Sequence, residues 1–408
     1  MKRFIIIILV ALSWLPMAAQ LNGTGYYRIC NVASPDDYLS INNDLFSYNT
    51  VIVTAGGGGS AILDGAGKPR ALECVGAYMK TDIHLVKDAN CVNPATIVYL
   101  EKKSNGDKYN LTGQSTSLKE ITDGTHTFSK WGITIPVEFK DNFATIKSVS
   151  GSGANTIYTA KVELKKTVII SVDLGTFYFI DDNGSFAISE SSSESTVQWY
   201  IRPVTYFNVD ASLEYKGKYY CTMYTPFAYT LDGQTEKAWV ISGINADGTL
   251  QKTCIAANAN VTDEASEVIG AAVPAGTPVI LECSSNVPVD CQLKPQGEPY
   301  IDMSCDYTGT NLLKGAYFCN TDGNVPFTNS SNGTSYINAN HYTSYNSSNM
   351  LVFGVSESPD DVNRLGFFPY TCDKMKSNKV WLEVSGGNAN TNFTFEANEP
   401  SQKGVAYE

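Results

Sequence analysis

The chain has 408 residues, with 41 Asp and Glu against 29 Lys and Arg, a formal net charge of −12, and 43% hydrophobic residues. That composition belongs to a globular protein, and the length exceeds what one core usually serves, so two domains are expected. An acidic surface repels phosphate backbones, and no Lys/Arg cluster breaks the trend. Nucleic acid is therefore excluded as a partner, and anionic membrane surfaces are disfavoured.

The first element is the segment 1–19. Lys2 and Arg3 precede the apolar run Phe4 to Leu12, and the small residues Ala18 and Ala19 precede Gln20. A basic start, an apolar middle and a small-residue cut site predict a secretory signal peptide. This places the rest outside the cytoplasm, as a secreted, cell-surface or periplasmic protein. The first cysteine is Cys30, so no lipid anchor is expected at the cut. No later run approaches the ~20 apolar residues of a spanning helix, so no transmembrane segment is expected after cleavage.

Beyond the leader, helical periodicity is nearly absent. Short runs rich in β-branched and aromatic residues recur, such as Thr96-Ile-Val-Tyr-Leu100, Thr167-Val-Ile-Ile-Ser171 and Thr176-Phe-Tyr-Phe-Ile180. Turn signals separate such runs: Ser104-Asn-Gly106, Asp182-Asn-Gly184, Asp247-Gly248 and Asp322-Gly323. Asn-Gly and Asp-Gly tolerate the positive φ that tight hairpins require. The predicted fold class is all-β, of sandwiches or barrels and not of a doubly wound sheet. The block Ala55 to Ser60 lacks the Lys-Ser/Thr pair of a phosphate loop and reads as a hairpin tip. Ser189 to Thr196 reads as a polar loop before a strand Val197 to Val204, and a new β pattern begins at Tyr219-Tyr220. The predicted organisation is a leader (1–19), an N-terminal β domain (20–204), a C-terminal β domain (205–395) and a fraying tail (396–408).

All ten cysteines follow the leader, three before residue 205 and seven after it. Neither domain can pair all of its own, so either one bridge crosses between domains or some thiols stay free and buried. No C-x-x-C spacing occurs, and structural roles, bridged or buried, are expected.

Gly25-Tyr-Tyr-Arg-Ile-Cys-Asn31 followed by Tyr38-Leu-Ser-Ile41 resembles the opening strand pair of a ricin-type β-trefoil lobe. Similar pairs occur at Val98-Tyr-Leu100 with Tyr109-Asn-Leu111 and at Phe177-Tyr-Phe-Ile180 with Phe186-Ala-Ile188, and Val197-Gln-Trp-Tyr-Ile201 resembles a closing strand. The resemblance covers residues 21 to 204 and implies a trefoil-like barrel, with Trp199 as a sugar-stacking candidate. Gln198 and Trp199 are adjacent, however, so they point to opposite faces of a strand, and a core role for Trp199 is favoured.

From residue 219 to 384 a succession of blocks resembles a β-sandwich-like module of proteins exported by Bacteroidetes. They include Tyr220-Cys-Thr-Met-Tyr224, Ala238-Trp-Val240, Val273 to Leu281, Asn311-Leu-Leu-Lys-Gly315, Leu351-Val-Phe-Gly354, Leu365-Gly-Phe-Phe368 and Asn378 to Leu382. The resemblance implies a sandwich, in company with adhesive and glycan-related proteins as well as enzymes.

Chemistry-bearing patterns are sparse. His84, His126 and His341 form no H-E-x-x-H, and no G-x-S-x-G elbow occurs, so no catalytic residue, metal ligand or cofactor is assigned. The Asp-rich turns Asp181-Asp-Asn-Gly184 and Asp360-Asp361 lack the ligand ladder of a calcium loop. One segment stands apart: Asn320 to Asn349 is rich in Asn, Ser, Thr and Gly and carries Tyr336, His341, Tyr342 and Tyr345. Flat tyrosine rings among adaptable amides are a composition of binding surfaces, and a loop of this length is uncommon in a compact domain. A solvated loop without a ligand is the plainer reading. The sequence therefore predicts a non-enzymatic binding or adhesion protein for a glycan or protein ligand outside the cell. An envelope assembly component and a hydrolase with an accessory β module are the alternatives.

Overall fold

The computed structural model describes residues 21, 23–48, 51–52, 73–74, 77–104, 106–112, 121–122, 127–128, 137–167, 171–182, 184–189, 195–261, 268–298, 307–316, 327–328, 335–336, 346, 349–356, 364–369, 379–384 and 393–395. Regular structure among them is strand, apart from the single 3₁₀ turns Pro94–Thr96 and Gly153–Asn155. The fold is all-β. The chain divides into two compact units, one drawn from 1–89, 96–204 and 322–340, the other from 90–95, 205–321 and 341–408.

The first unit is built on ten main strands: β1 Gly25–Asn31, β2 Asp37–Tyr48, β3 Ala77–Lys87, β4 Val98–Lys102, β5 Lys108–Thr112, β6 Val137–Ser150, β7 Ile157–Thr167, β8 Ser171–Asp182, β9 Ser185–Ser189 and β10 Trp199–Pro203. Six of them close a ring in the order β1, β4, β5, β6, β7, β10, every neighbouring pair antiparallel. Closure removes free sheet edges from the ring. Strand alternation explains what fills it. Each ring strand sends two residues, two apart, into one core: Tyr27 and Ile29, Val98 and Leu100, Tyr109 and Leu111, Ala144 and Ile146, Tyr158 and Ala160, Trp199 and Ile201. Leu39 of β2 and Phe179 of β8 join the same cluster from the hairpins β2–β3 and β8–β9.

The predicted turns fall where the chain reverses. Gly106, Gly184 and Gly248 all have positive φ, and Asp181 Oδ1 accepts the Gly184 N–H at 2.7 Å. One expectation is corrected. Thr167 to Ser171 was expected to be a strand, but Thr167 and Ser171 pair with each other across the β7–β8 hairpin. Thr167 thus ends β7 and Ser171 begins β8. Thr96 likewise ends a 3₁₀ turn and does not begin the strand Val98–Lys102. The leader, the Ala55 to Ser60 block, Asp322-Gly323, Asp360-Asp361 and the tail lie outside the described residues.

Among its described residues the second unit has three sheets. The smallest joins β11 Phe207–Asn208, β14 Ala228–Gly233 and β18 Cys291–Gln296. The first five-stranded sheet contains β12 Leu213–Tyr215, β13 Lys218–Met223, β15 Thr235–Ile244, β16 Leu250–Ala257 and β17 Val279–Cys283. The second contains β19 Leu313–Ala316, β20 Met350–Val355, β21 Leu365–Phe368, β22 Lys379–Glu383 and β23 Phe393–Thr394.

The two five-stranded sheets share one core. Tyr220, Ile241 and Ile280 of one meet Leu351, Phe353, Phe367, Val380 and Leu382 of the other. Every residue of β17 is buried, so this central strand is covered on both faces. Asn311 explains its block: its Nδ2 donates to Pro278 O at 2.8 Å and its Oδ1 accepts Leu313 N–H at 3.0 Å, docking β19. At Gly315 a Cβ would land on the Tyr224 ring, so only glycine lets that ring lie against the backbone.

Candidate functional site

Trp199 closes the barrel and does not serve as a platform. It is 1% exposed, and its Nε1–H donates to Phe179 O at 3.1 Å, which satisfies the indole inside the core. A sugar cannot reach that ring, so its assignment as a ligand residue is corrected. Of the loop candidates, Tyr336 has backbone in a two-residue ladder, Ser335–Tyr336 against Phe327–Thr328, while its side chain and His341, Tyr342 and Tyr345 lie outside the described residues.

The polar residues of the opening motif are structural as well. Arg28 Nε donates to Thr96 Oγ1 at 3.0 Å, Thr96 Oγ1 donates to Asp88 Oδ2 at 3.0 Å, and Arg28 Nη2 lies 3.7 Å from the same carboxylate oxygen. All three residues are buried. The guanidinium also faces the Tyr38 ring, 5.9 Å from its centroid. Asn31, fully buried, donates to Thr196 O and accepts from Ala33 N–H. A charge taken this far from water persists only with such partners.

The second unit carries a different arrangement at the rim of its large core. Glu282 stands on β17 between Tyr220 of β13 and Lys237 of β15, its direct cross-strand neighbours. Trp239, two residues beyond Lys237 and on the same face, donates its Nε1–H to Glu282 Oε2 at 3.0 Å. The indole is partly exposed. Lys252 Nζ lies 4.9 Å and Lys237 Nζ 5.5 Å from its ring, and Phe395 packs edge-on at 6.3 Å. Beside them Lys218 Nζ pairs with Glu236 Oε2 at 2.5 Å.

Burial pushes the Glu282 carboxyl above its ordinary pKa, opposed by the Trp239 hydrogen bond and the Lys237 charge. The nearby Cys254 thiol is also raised by burial, which keeps it protonated and unreactive at neutral pH. Chemically, the patch offers an indole held at a fixed angle by a carboxylate, with two lysine ammoniums over its ring. Sequence reasoning missed it, although a signal existed: Glu282 interrupts the apolar run Pro278 to Cys283, where a carboxylate must find a donor. Among the described residues, no group of three or more His, Cys, Asp or Glu side chains is arranged to hold a metal ion, and no helix is long and apolar enough to cross a membrane.

No protein-family model and no curated protein matches the sequence. A solved structure described as "Structure and mode of action of a mosquitocidal holotoxin" is similar over 93% of this chain and 33% of its own, at 11% identity and a TM-score of 0.22. The chain thus spans about a third of that protein, and a likeness this distant carries no argument.

Proposed function

We propose that this chain is a non-enzymatic binding protein working outside the cell, with glycans or glycoproteins as its ligands. The observation that carries the reading is the Trp239 patch. A partly exposed indole, oriented by Glu282 and with the Lys237 and Lys252 ammoniums over its ring, supplies aromatic surface together with charged hydrogen-bonding groups. Sugars suit that combination, because their C–H faces pack on aromatic rings while their hydroxyls bond to charged and amide groups.

The barrel topology supports the trefoil part of the reading. Its six ring strands are antiparallel neighbours, and the chain leaves the ring for the hairpin β2–β3 between β1 and β4 and for the hairpin β8–β9 between β7 and β10. A hairpin carried between two ring strands is what a trefoil lobe has. The basic-apolar-small pattern of residues 1–19 supports export.

The test is a glycan array with a mucin pull-down, run on the wild type, Trp239→Ala and Tyr342→Ala. Binding weakened at least tenfold by Trp239→Ala supports the patch as the ligand surface, and a loss confined to Tyr342→Ala moves the site to the loop. Absence of any signal, or a signal both variants leave unchanged, refutes glycan binding by these surfaces.

A further inference from the structure

In the second unit, the chain passes from the three-stranded sheet to the first five-stranded sheet at Gly233-Gln234-Thr235, where β14 ends and β15 begins. Gln234 N–H donates to Asp290 O at 2.7 Å, and Ser284 N–H donates to Gln234 O at 3.0 Å. One residue therefore pins both ends of the loop Ser284–Asp290. The ladders place the flanking cysteines on either side of the same corner, Cys291 opposite Gly233 and Cys283 opposite Thr235. The corner has little freedom to move. Gly233 has φ of +56°, and a Cβ there would meet the Asp290 carbonyl.

Cys283 and Cys291 are both fully buried free thiols flanking this pinned corner, and Cys291 Sγ donates to Ser285 O at 3.1 Å. Cys221 is the third thiol of this neighbourhood. It stands opposite Leu281 on β17, so it reaches Cys283 only along the diagonal of the ladder.

We propose that Cys283 and Cys291 form a disulfide that closes the loop Ser284–Asp290. The donor is a disulfide of a small thiol or of an oxidoreductase. The thiolate of one cysteine attacks the donor, one donor thiol leaves, and a mixed disulfide forms. The second cysteine, as thiolate, then attacks the protein sulfur of that mixed disulfide and releases the other donor thiol. The two cysteines lose two electrons and two protons, and the donor disulfide gains them as two thiols. Exchange belongs to folding, before the corner closes. In the folded unit the Cys283 thiol is pushed far up by its hydrogen bond to Cys291 and by burial, and burial pushes Cys221 up to about 12. Cys291 is pulled down by the same contact, but all three thiols are buried, so no donor disulfide reaches them in the folded unit.

The test unfolds the full chain in denaturant and reductant and refolds it in a glutathione redox buffer. Remaining thiols are alkylated with iodoacetamide in fresh denaturant, and the digest is mapped by mass spectrometry. The expected result is a linked peptide containing Cys283 and Cys291 in most molecules, with Cys221 alkylated. The link persists in Cys221→Ala and is lost in Cys291→Ala, which leaves Cys283 alkylated. Alkylation of both cysteines in the refolded wild type overturns the proposal, and so does a link from either one to Cys221. Because the wild type is mapped directly, the outcome does not depend on any variant folding. Glycan binding is not read in this experiment, so its result stands apart from the proposed function.

Discussion

Replacing Trp199 with alanine separates a core residue from a ligand platform by magnitude. The side chain is 1% exposed, packs among the inward residues of the ring, and bonds Phe179 O at 3.1 Å. Truncating a buried tryptophan costs about 3–5 kcal/mol through lost transfer energy and the cavity left behind. For a unit of this size each kcal/mol moves the melting temperature by about 2–4 °C, so a drop of roughly 10 °C is expected in the first unit's transition. Trp199→Phe keeps most of the volume but removes the indole N–H bond to Phe179 O, a cost of about 0.5–1.5 kcal/mol. Differential scanning calorimetry, with urea unfolding as a second measure, ranks the three proteins. The expected order is wild type, then Phe, then Ala. An alanine variant that unfolds within ~1 kcal/mol of the wild type would refute the packing argument, because no cavity cost of that size is compatible with a fully enclosed ring.

Three further outcomes follow from the same geometry. Asp88→Ala removes the carboxylate facing the buried Arg28 guanidinium and is expected to cost about 3–5 kcal/mol in urea unfolding, whereas a loss below ~1 kcal/mol would mean that the remaining partners, Thr96 and the Tyr38 ring among them, suffice. Glu282 has its folded pKa raised, so its stabilising contribution is complete below the unfolded carboxylate pKa and is lost as pH rises through the folded value; Glu282→Gln should flatten that fall in the second unit, and an unchanged pH profile would count against burial of the charge. Gly315→Val drives a side chain into the Tyr224 ring and should destabilise the second unit by about 1–3 kcal/mol, with Gly315→Ala milder, and a neutral valine variant would show that the ring is free to move aside.

Much of the architecture could be read from alternation and turn chemistry. Tyr27 and Ile29, or Val98 and Leu100, are two apart in short β-rich runs, which is enough to place them on a common face. Gly106, Gly184 and Gly248 marked reversals because their neighbours could not supply positive φ cheaply. Where no such residue stood, as between Thr167 and Ser171, the reversal was invisible. The Glu282 patch was only half legible. A carboxylate inside an apolar strand announced a need for a donor, but nothing local said that Trp239, 43 residues earlier, would provide it.

Residue order alone thus determined the all-β class, where several hairpins turn, and which side chains share a face, because a pleated backbone has a period of two and glycine takes positive φ without strain. Tertiary structure decided which face is covered. Ring closure by β10 between β1 and β7 turned Trp199 inward, and the meeting of β1 with Asp88 and Thr96 turned Arg28 from a surface charge into a buried one. Whether a side chain meets water or protein depends on partners far away in the chain, and their approach is fixed only when the sheets close.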